Sequence, residues 1–232
     1  MNNDLSDFLK NINVKFRDLD NYKSVFIHRS YLNENKKLNL EHNERLEFLG
    51  DAVLELIVTE HLYKNYNNPE GELTNWRSAI VKGEMLSVIA KKLNLGNYLL
   101  MSRGEEKSGG KNSNLLLANT LEALIGAVYL DVGYTAACRF VSNNLIVELS
   151  KIIESGKYVD DKSKFQELIQ EKENVTPTYK VLEEFGPDHN KVFRVGVLIN
   201  NKKISEGTGQ SKRKAEQDAA AHALKLINNK TL

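Results

Sequence analysis

The sequence contains a single cysteine, Cys138, among its 232 residues. One cysteine cannot form an internal disulfide, and no cysteines and histidines are grouped at the spacing of a zinc site. The sequence therefore gives no basis for a disulfide-stapled fold or a structural zinc module.

Long apolar runs are also missing. No stretch of about 18 apolar residues appears, which is the length that a membrane-spanning helix needs. The first residues, Met1 to Asp4, lack the basic and apolar regions of a signal peptide. We therefore expect a cytoplasmic location and no membrane partner.

The sequence has no large excess of positive or negative charge: its formal net charge is +1. From Tyr158 to the end, 13 lysines and arginines stand against 11 aspartates and glutamates. Any binding of nucleic-acid phosphates must therefore come from local patches. An apolar content of 41% and a charged content of 27% are typical of a soluble globular protein, and the length allows one large domain or two smaller ones.

A mixture of acidic and apolar residues predicts a long helix over residues 42–65. Glu44, Glu47 and Asp51 have the i, i+3 and i+7 spacing that places them on one helical face. Like charges at this spacing cost about 0.2–0.5 kcal/mol per pair, which favours a counter-ion, and Mg²⁺ prefers oxygen ligands. The alternative is an ordinary solvated acidic face. Gly50 inside the pattern indicates that another part of the chain needs to approach this backbone.

Residues 115–130 predict a second, buried helix, because they are apolar on nearly every side. The one small or polar stripe of this helix consists of Asn119, Glu122 and Gly126. A buried glutamate is unfavourable unless it is paired or metal-bound. Either Glu122 forms a salt bridge with an arginine such as Arg45 or Arg77, or it meets the acidic face of the first helix.

The remaining part of the first 155 residues predicts further helices. Two short helices are expected over residues 4–31, a helical pair interrupted near Gly83 over residues 70–93, and a last helix over residues 134–153. The polar, glycine-rich segment 103–111 predicts a flexible surface loop.

The pattern changes after a short predicted linker at residues 156–160. Residues 161–230 predict a helix, three strands and a final alanine-rich helix that opens with Lys212, Arg213 and Lys214. Basic side chains at a helix N-terminus favour phosphate binding. No strand carries the row of aromatic residues that stacks single-stranded bases.

The ten residues His42 to Asp51 closely match the signature of ribonuclease III, the endonuclease specific for double-stranded RNA. The last 70 residues resemble the double-stranded-RNA-binding domain, and the two resemblances together cover essentially the whole chain. They imply an all-α ribonuclease III domain over residues 1–155, followed after the linker by a small α+β domain of α-β-β-β-α order over residues 161–230.

The resemblance implies a Mg²⁺-dependent enzyme, with Mn²⁺ as a substitute and no organic cofactor. Its metal ligands would be Glu47, Asp51, Asn119 and Glu122. Of these, Asp51 and Glu122 would be the essential carboxylates, supported at the cleavage site by Glu44 and Glu70. The family cuts both strands as a homodimer, leaving 5′-phosphate and 3′-hydroxyl ends with short 3′ overhangs, and its substrates include ribosomal-RNA precursors and structured messenger RNA.

Other residues are assigned to the RNA and to the dimer. Phe48 matches the position where an aromatic side chain inserts into the partner subunit, although an ordinary core phenylalanine is the alternative. The predicted RNA-binding residues are Ser163, which would also cap the first helix of the second domain, Gln166, Glu167, His189, Lys212, Arg213 and Lys214.

The sequence departs from the family pattern at one candidate ligand. Asn119 stands where the family most often has aspartate, so the site has one fewer formal negative charge and we expect weaker metal binding. The alternative function is therefore a non-catalytic protein that binds double-stranded RNA.

Overall fold

The computed structural model describes residues 2–156, 161–187 and 190–228. The chain divides into two compact units, Met1–Tyr158 and Val159–Leu232. The division falls within the segment that the sequence predicts as a linker.

The first unit is built from α-helices joined by turns and short 3₁₀ segments. The helices are α1 (Asn2–Asn11), α2 (Arg29–Glu34), α3 (Glu44–Asn65), α4 (Glu70–Val81), α5 (Gly83–Lys92), α6 (Arg103–Lys107), α7 (Asn114–Val132), α8 (Tyr134–Asn144) and α9 (Leu149–Ser155). The all-α character predicted for this part of the chain is confirmed.

Helix α7 forms the centre of this unit and packs against α3, α5 and α8. Leu121, Leu124 and Ile125 on this helix are fully buried. By length and composition alone, α7 could also cross a membrane. Its packing accounts for that composition, because a helix that is apolar all round belongs in a core.

Three segments of the first unit differ from the sequence-based prediction. The second short helix expected over residues 4–31 is instead two 3₁₀ turns, Leu19–Tyr22 and Ser24–Phe26, followed by α2. Residues 103–111 form α6 and a 3₁₀ turn instead of an irregular loop, because the Ser102 hydroxyl caps α6 by accepting a hydrogen bond from the Glu105 amide at 3.2 Å. The single helix predicted over residues 134–153 is divided into α8 and α9, because the turn between them buries Leu145.

The second unit has one antiparallel sheet and two helices. Its elements are α10 (Asp161–Glu173), β1 (Thr178–Phe185), β2 (Val192–Ile199), β3 (Lys202–Gly209) and α11 (Lys212–Asn228), with strand order β1-β2-β3. Phe165, Val197 and Ala219 contribute to a core between the sheet and the helices. The predicted α-β-β-β-α order is confirmed.

The sheet and α11 are in direct backbone contact at β3. A Cβ atom added at Gly207 would lie 2.1 Å from the backbone nitrogen of Ala219, so only glycine fits there. This contact fixes the position of α11 on the sheet, and with it the position of the basic residues at the start of the helix.

Candidate active site

Two glycines bring α3 and α7 into backbone contact. A Cβ atom added at Gly50 would lie 1.8 Å from the carbonyl oxygen of Glu122, and one at Gly126 would lie 2.4 Å from that of Leu46. Both distances are far below van der Waals contact, so a side chain fits at neither position. The predicted close approach at Gly50 is confirmed, and the approaching backbone is that of Glu122 itself.

This contact brings acidic side chains of the two helices together. Burial raises the pKa of the half-buried Glu47, and the negative charge of Glu44 raises it further. A hydrogen bond from Asn119 lowers this pKa, and Asp51 raises it. Burial also raises the pKa of Glu122 to about 7, with contributions from Asp51 and then Glu47. The predicted ligands therefore form one electrostatically coupled group, which we call the acidic cluster: Glu47, Asp51, Asn119 and Glu122.

The structure does not pair Glu122 with the arginines considered from the sequence. Arg45 is exposed and lies 3.5 Å from Glu41, whereas Arg77 donates a hydrogen bond to Thr59 at 3.1 Å. A salt bridge would lower the pKa of Glu122, but this pKa is raised. The arginine alternative is therefore wrong.

The alternative of an ordinary solvated acidic face holds for only some of the predicted acidic residues. Glu44 is exposed, and its carboxylate lies 3.6 Å from Arg29 and 3.8 Å from His42. Glu47 and Glu122 are instead partly buried among other carboxylates. Acids held in this way call for a compensating cation.

The donor chemistry of the acidic cluster suits a hard divalent ion. Three carboxylates and one amide offer only oxygen ligands to a metal, as Mg²⁺ prefers. Among the described residues, no three acidic, histidine or cysteine side chains already enclose a metal-sized space. Binding one ion therefore requires rotation of the long glutamate side chains, so the fit depends on donor type and proximity.

The second unit presents its basic residues at the start of α11. Lys212, Arg213 and Lys214 are all exposed. Lys212 lies 3.5 Å from Glu184, and its ammonium group is 5.6 Å from the centre of the Phe193 ring. The Ser211 hydroxyl caps the helix by accepting a hydrogen bond from the Lys214 amide at 3.3 Å. The start of α11 therefore carries three exposed cations, of which Lys212 is in contact with Glu184 and Phe193.

The other predicted RNA-binding residues are placed less uniformly. Gln166 and Glu167 are exposed on α10. Ser163 lies inside the first turn of α10 and not before it, because the helix already begins at Asp161; the prediction of a serine cap is wrong. A salt bridge of 2.7 Å between Lys162 and Glu216 joins α10 to α11. His189 lies outside the described residues.

Comparison with known proteins agrees with both units. The family model described as "Ribonuclease-III-like" matches residues 20–149, which is more than half of the chain. The chain belongs to the ribonuclease III family. A second model, described as "Double-stranded RNA binding motif", matches residues 162–227. The chain is thus an endoribonuclease with an attached double-stranded-RNA-binding domain.

Curated ribonuclease III relatives match over nearly the whole chain. Ribonuclease 3 of Borreliella burgdorferi is 45% identical over 97% of this chain and 92% of its own length. Ribonuclease 3 of Enterococcus faecalis is 42% identical over 98% of this chain and 99% of its own. A solved nuclease domain of ribonuclease III from Campylobacter jejuni is 37% identical, with a TM-score of 0.53, and covers 60% of this chain and 97% of that one.

Glu70, the other carboxylate that the family resemblance points to, lies apart from the acidic cluster within one chain. It begins α4 and accepts a hydrogen bond from the Thr74 hydroxyl at 3.0 Å. With Thr59, Tyr63 and others it lines a cavity of about 650 Å³ beside the second half of α3. Thr59 follows Asp51 by two helical turns, or about 12 Å.

Phe48 is not a core residue, because 82% of its surface is exposed. It lines an open hollow of about 760 Å³ together with Leu46, Leu49 and Leu130. Leu130 is itself 62% exposed. Polar residues, among them Asp20 and Arg45, also line this hollow, so the structure places an exposed aromatic side chain beside a partly apolar recess.

Three residues that shape this region are not indicated by the sequence patterns described above. Arg29 and His42 surround Glu44, and nothing in their sequence spacing indicates that pairing. Asp131 at the end of α7 is buried and accepts hydrogen bonds from the region before α2. The signal that could have identified Asp131 is a second acid at the very end of this mostly apolar helix.

Proposed function

We propose that this protein is a Mg²⁺-dependent endonuclease that cuts double-stranded RNA, leaving 5′-phosphate and 3′-hydroxyl ends with short 3′ overhangs. The observation that carries the proposal is the backbone contact at Gly50 and Gly126, which brings the carboxylates of α3 and α7 together. In this setting burial, Asp51 and Glu47 raise the pKa of Glu122 to about 7. The two glycines allow the helices to approach closely, and the three carboxylates that this brings together support a cation site. Mn²⁺ has the same preference for oxygen ligands and would substitute.

The carboxylates at and around the acidic cluster differ in their parts in the proposed reaction. Asp51 and Glu122 are the essential carboxylates, and Glu47 completes the charged ligand set. When bound, Mg²⁺ supplies a Lewis acid and lowers the pKa of water that attacks the phosphate. Glu44 and Glu70 orient RNA or water at the edges of the cleavage site.

Asn119 gives this site a particular character. Its side chain donates a hydrogen bond to Glu47, which lowers the pKa of that glutamate and favours the ionised form that a metal needs. An amide brings no formal charge, so the cluster holds three negative charges where an aspartate would make four. We infer that Asn119 orients Glu47 and that metal binding is weaker than it would be with aspartate.

The second domain would hold the duplex. A-form RNA presents 2′-hydroxyls in a shallow minor groove and phosphates across the narrow major groove. The exposed start of α11 is suited to the phosphates, because charged side chains and free backbone amides act together there. Ser163, Gln166 and Glu167 would contact one minor groove, and His189 a second.

The enzyme would act as a homodimer, so that two sites cut the two strands. The exposed Phe48 beside a partly apolar recess supports this assembly, because each subunit offers both an aromatic side chain and a recess. The Campylobacter jejuni structure is described as having flexibility in a region involved in dimer formation. Ribosomal-RNA precursors and structured messenger RNA in the cytoplasm are the proposed substrates.

The second candidate function is binding of double-stranded RNA without cleavage, and only Asn119 favours it. The test is cleavage of a perfect RNA duplex across a Mg²⁺ titration by the wild type, Asn119→Asp and Glu122→Gln. We expect cutting by the wild type, none by Glu122→Gln, and a lower Mg²⁺ requirement for Asn119→Asp. Binding without cutting at every Mg²⁺ concentration, with cutting restored by Asn119→Asp, would establish the second function instead.

A further inference from the structure

The first unit contains a further cavity, of about 690 Å³, that the proposed function does not use. It lies where the ends of α1 and α5 meet α8, and among the described residues that line it is no member of the acidic cluster. Its volume is within the range of sites for small organic molecules, about 300–1,000 Å³. We call it the asparagine cavity after its most frequent residue.

Six asparagines line the rim of this cavity, and all except Asn144 are exposed, whereas apolar residues such as Phe8 and Val128 line the rest of its wall. The asparagines that line it are Asn11, Asn13, Asn94, Asn97, Asn143 and Asn144. Asn144 donates a hydrogen bond to the Phe140 carbonyl at 2.8 Å. The other five side chains form no hydrogen bond within the part of the chain that the structure describes. An amide offers both donors and acceptors, so the wall can recognise a ligand that has both.

The charge of the asparagine cavity has one sign. Lys15, Lys92 and Arg139 line it, and no carboxylate is among its described lining residues. Lys92 is neutralised by Glu148 at 2.6 Å. Lys15 and Arg139 are exposed and have no ion pair with the described residues, so they are available to an anion. Guanidinium and ammonium groups form their strongest hydrogen bonds with phosphate and carboxylate oxygens.

We propose that the asparagine cavity binds a nucleotide, with Lys15 and Arg139 at the phosphate and the asparagine amides at the base. Amides suit a base edge because they pair a donor with an acceptor, as asparagine does with adenine. A nucleotide matches both features of the wall, because its phosphate can bind the cations and its base edge carries both a donor and an acceptor for the amides. An enzyme that acts on RNA encounters such molecules. A free nucleotide and the phosphorylated end of an RNA strand both present this chemistry.

Calorimetric titration of the full-length protein with 5′-AMP tests the proposal, with adenosine and inorganic phosphate as comparison ligands. We expect saturable binding of AMP that is at least about tenfold tighter than binding of either comparison ligand. Reversal of both free charges, Lys15→Glu with Arg139→Glu, should abolish it. Thr135→Trp should also abolish it by filling the cavity without changing charge. Lys36→Glu with Lys37→Glu makes the same charge change on an exposed loop outside the cavity and should have no effect.

The proposal is overturned by absence of saturable AMP binding, or by equal binding in the Thr135→Trp protein. Binding of inorganic phosphate as tightly as AMP overturns the assignment to a nucleotide. Circular dichroism and duplex cleavage show whether each variant is folded. Competition with a 5′-phosphorylated RNA hairpin then identifies the source: displacement of AMP assigns the cavity to an RNA end, and no displacement assigns it to a free nucleotide.

Discussion

Helix α7 carries two acids, Glu122 and Asp131, whose pKa values move in opposite directions. Burial alone would raise both. Neighbouring carboxylates raise the pKa of Glu122 further, whereas backbone and side-chain donors around Asp131 lower its pKa despite burial. The groups next to each acid therefore decide the direction of its pKa shift more than burial does. Glu122 lies among carboxylates and suits a cation, whereas Asp131 lies among hydrogen-bond donors and stabilises the fold.

Proton binding at Glu122 should compete with metal binding. Because its pKa is raised to about 7, the carboxyl is protonated below that pH and must lose a proton to become a ligand. We expect Mn²⁺ affinity, measured by calorimetry, to fall by up to about tenfold for each pH unit below about 7. Glu122→Gln should remove the steep part of this dependence, and an unchanged slope in that variant would show that another group titrates.

Asp131→Asn should destabilise the first unit. The carboxylate of Asp131 accepts hydrogen bonds from the backbone amides of Arg17 (2.7 Å) and Asp18 (3.1 Å), from Asn21 and from the Tyr22 hydroxyl. The NH₂ group of an asparagine in this position would face some of these hydrogen-bond donors and leave them without an acceptor. We expect this to lower the free energy of unfolding by about 2–3 kcal/mol. Urea denaturation at neutral pH measures this loss.

The cost of Asp131→Asn should also depend on pH. The folded-state pKa of Asp131 lies below its ordinary value, so the ionised carboxylate stabilises the fold above about pH 4. This stabilisation is lost as the pH falls through the folded-state pKa. Wild type and variant should therefore converge in stability in acid, and a constant difference down to about pH 2 would contradict the proposed role.

At the scale of elements, the main result is the backbone contact between α3 and α7. The sequence predicted both helices, the face that carries Glu44, Glu47 and Asp51, and a close approach at Gly50. It could not predict that Gly126 is the other half of the contact, because pairing between helices is not encoded in the spacing within either one. The family resemblance placed Glu70 at the cleavage site, but its position beside Thr59 and the second half of α3 depends on tertiary contacts that the sequence does not show.

Gly50→Ala tests this contact. The added methyl group would overlap the Glu122 carbonyl, with a Cβ–O separation of only 1.8 Å. We expect a loss of about 3 kcal/mol or more in the free energy of unfolding, at the upper end of the cost of overpacking. Gly71→Ala is the matched control, because nothing lies within 4 Å of its Cβ position. That change should be neutral or stabilising by up to about 1 kcal/mol; equal losses would contradict the account.

The start of α11 gives a second prediction at this scale. Replacing Lys212 and Lys214 with alanine should weaken binding of an RNA duplex and reduce the slope of log affinity against log salt by about 2, one for each lost phosphate contact. Lys225→Ala, at the other end of the same helix, should leave the slope unchanged. Filter binding over a range of salt concentrations measures both.

At the scale of the whole molecule, two units with different chemistry share one chain. The acidic cluster lies in the first, and the exposed cations of α11 lie in the second. This separation explains why the net charge of +1 is a poor guide to function. The sequence identified both units because each has its own periodicity, but it could not decide whether Phe48 is buried, since an aromatic residue on an amphipathic helix suits a core and an interface equally.

Phe48→Ala should weaken the proposed homodimer. An aromatic side chain that is 82% exposed in one chain and inserts into a recess of another is typical of an interface hot spot, worth about 2 kcal/mol or more. Sedimentation equilibrium should therefore show at least about a thirtyfold weaker association. Val147→Ala, which also removes exposed apolar surface, is the control. Association that is unaffected by Phe48→Ala would place the interface elsewhere.

Because of the backbone contact at Gly50 and Gly126, substitutions at these two positions should differ in their effect from substitutions elsewhere in the core. Elsewhere in the core, one apolar side chain can replace another, and the helices shift slightly to fit. At the contact itself, the distance between α3 and α7 is set by backbone atoms, which are the same in every residue. We therefore expect substitutions elsewhere in the core to move the far ends of α3 and α7 more than they change the distance between the acids beside this contact.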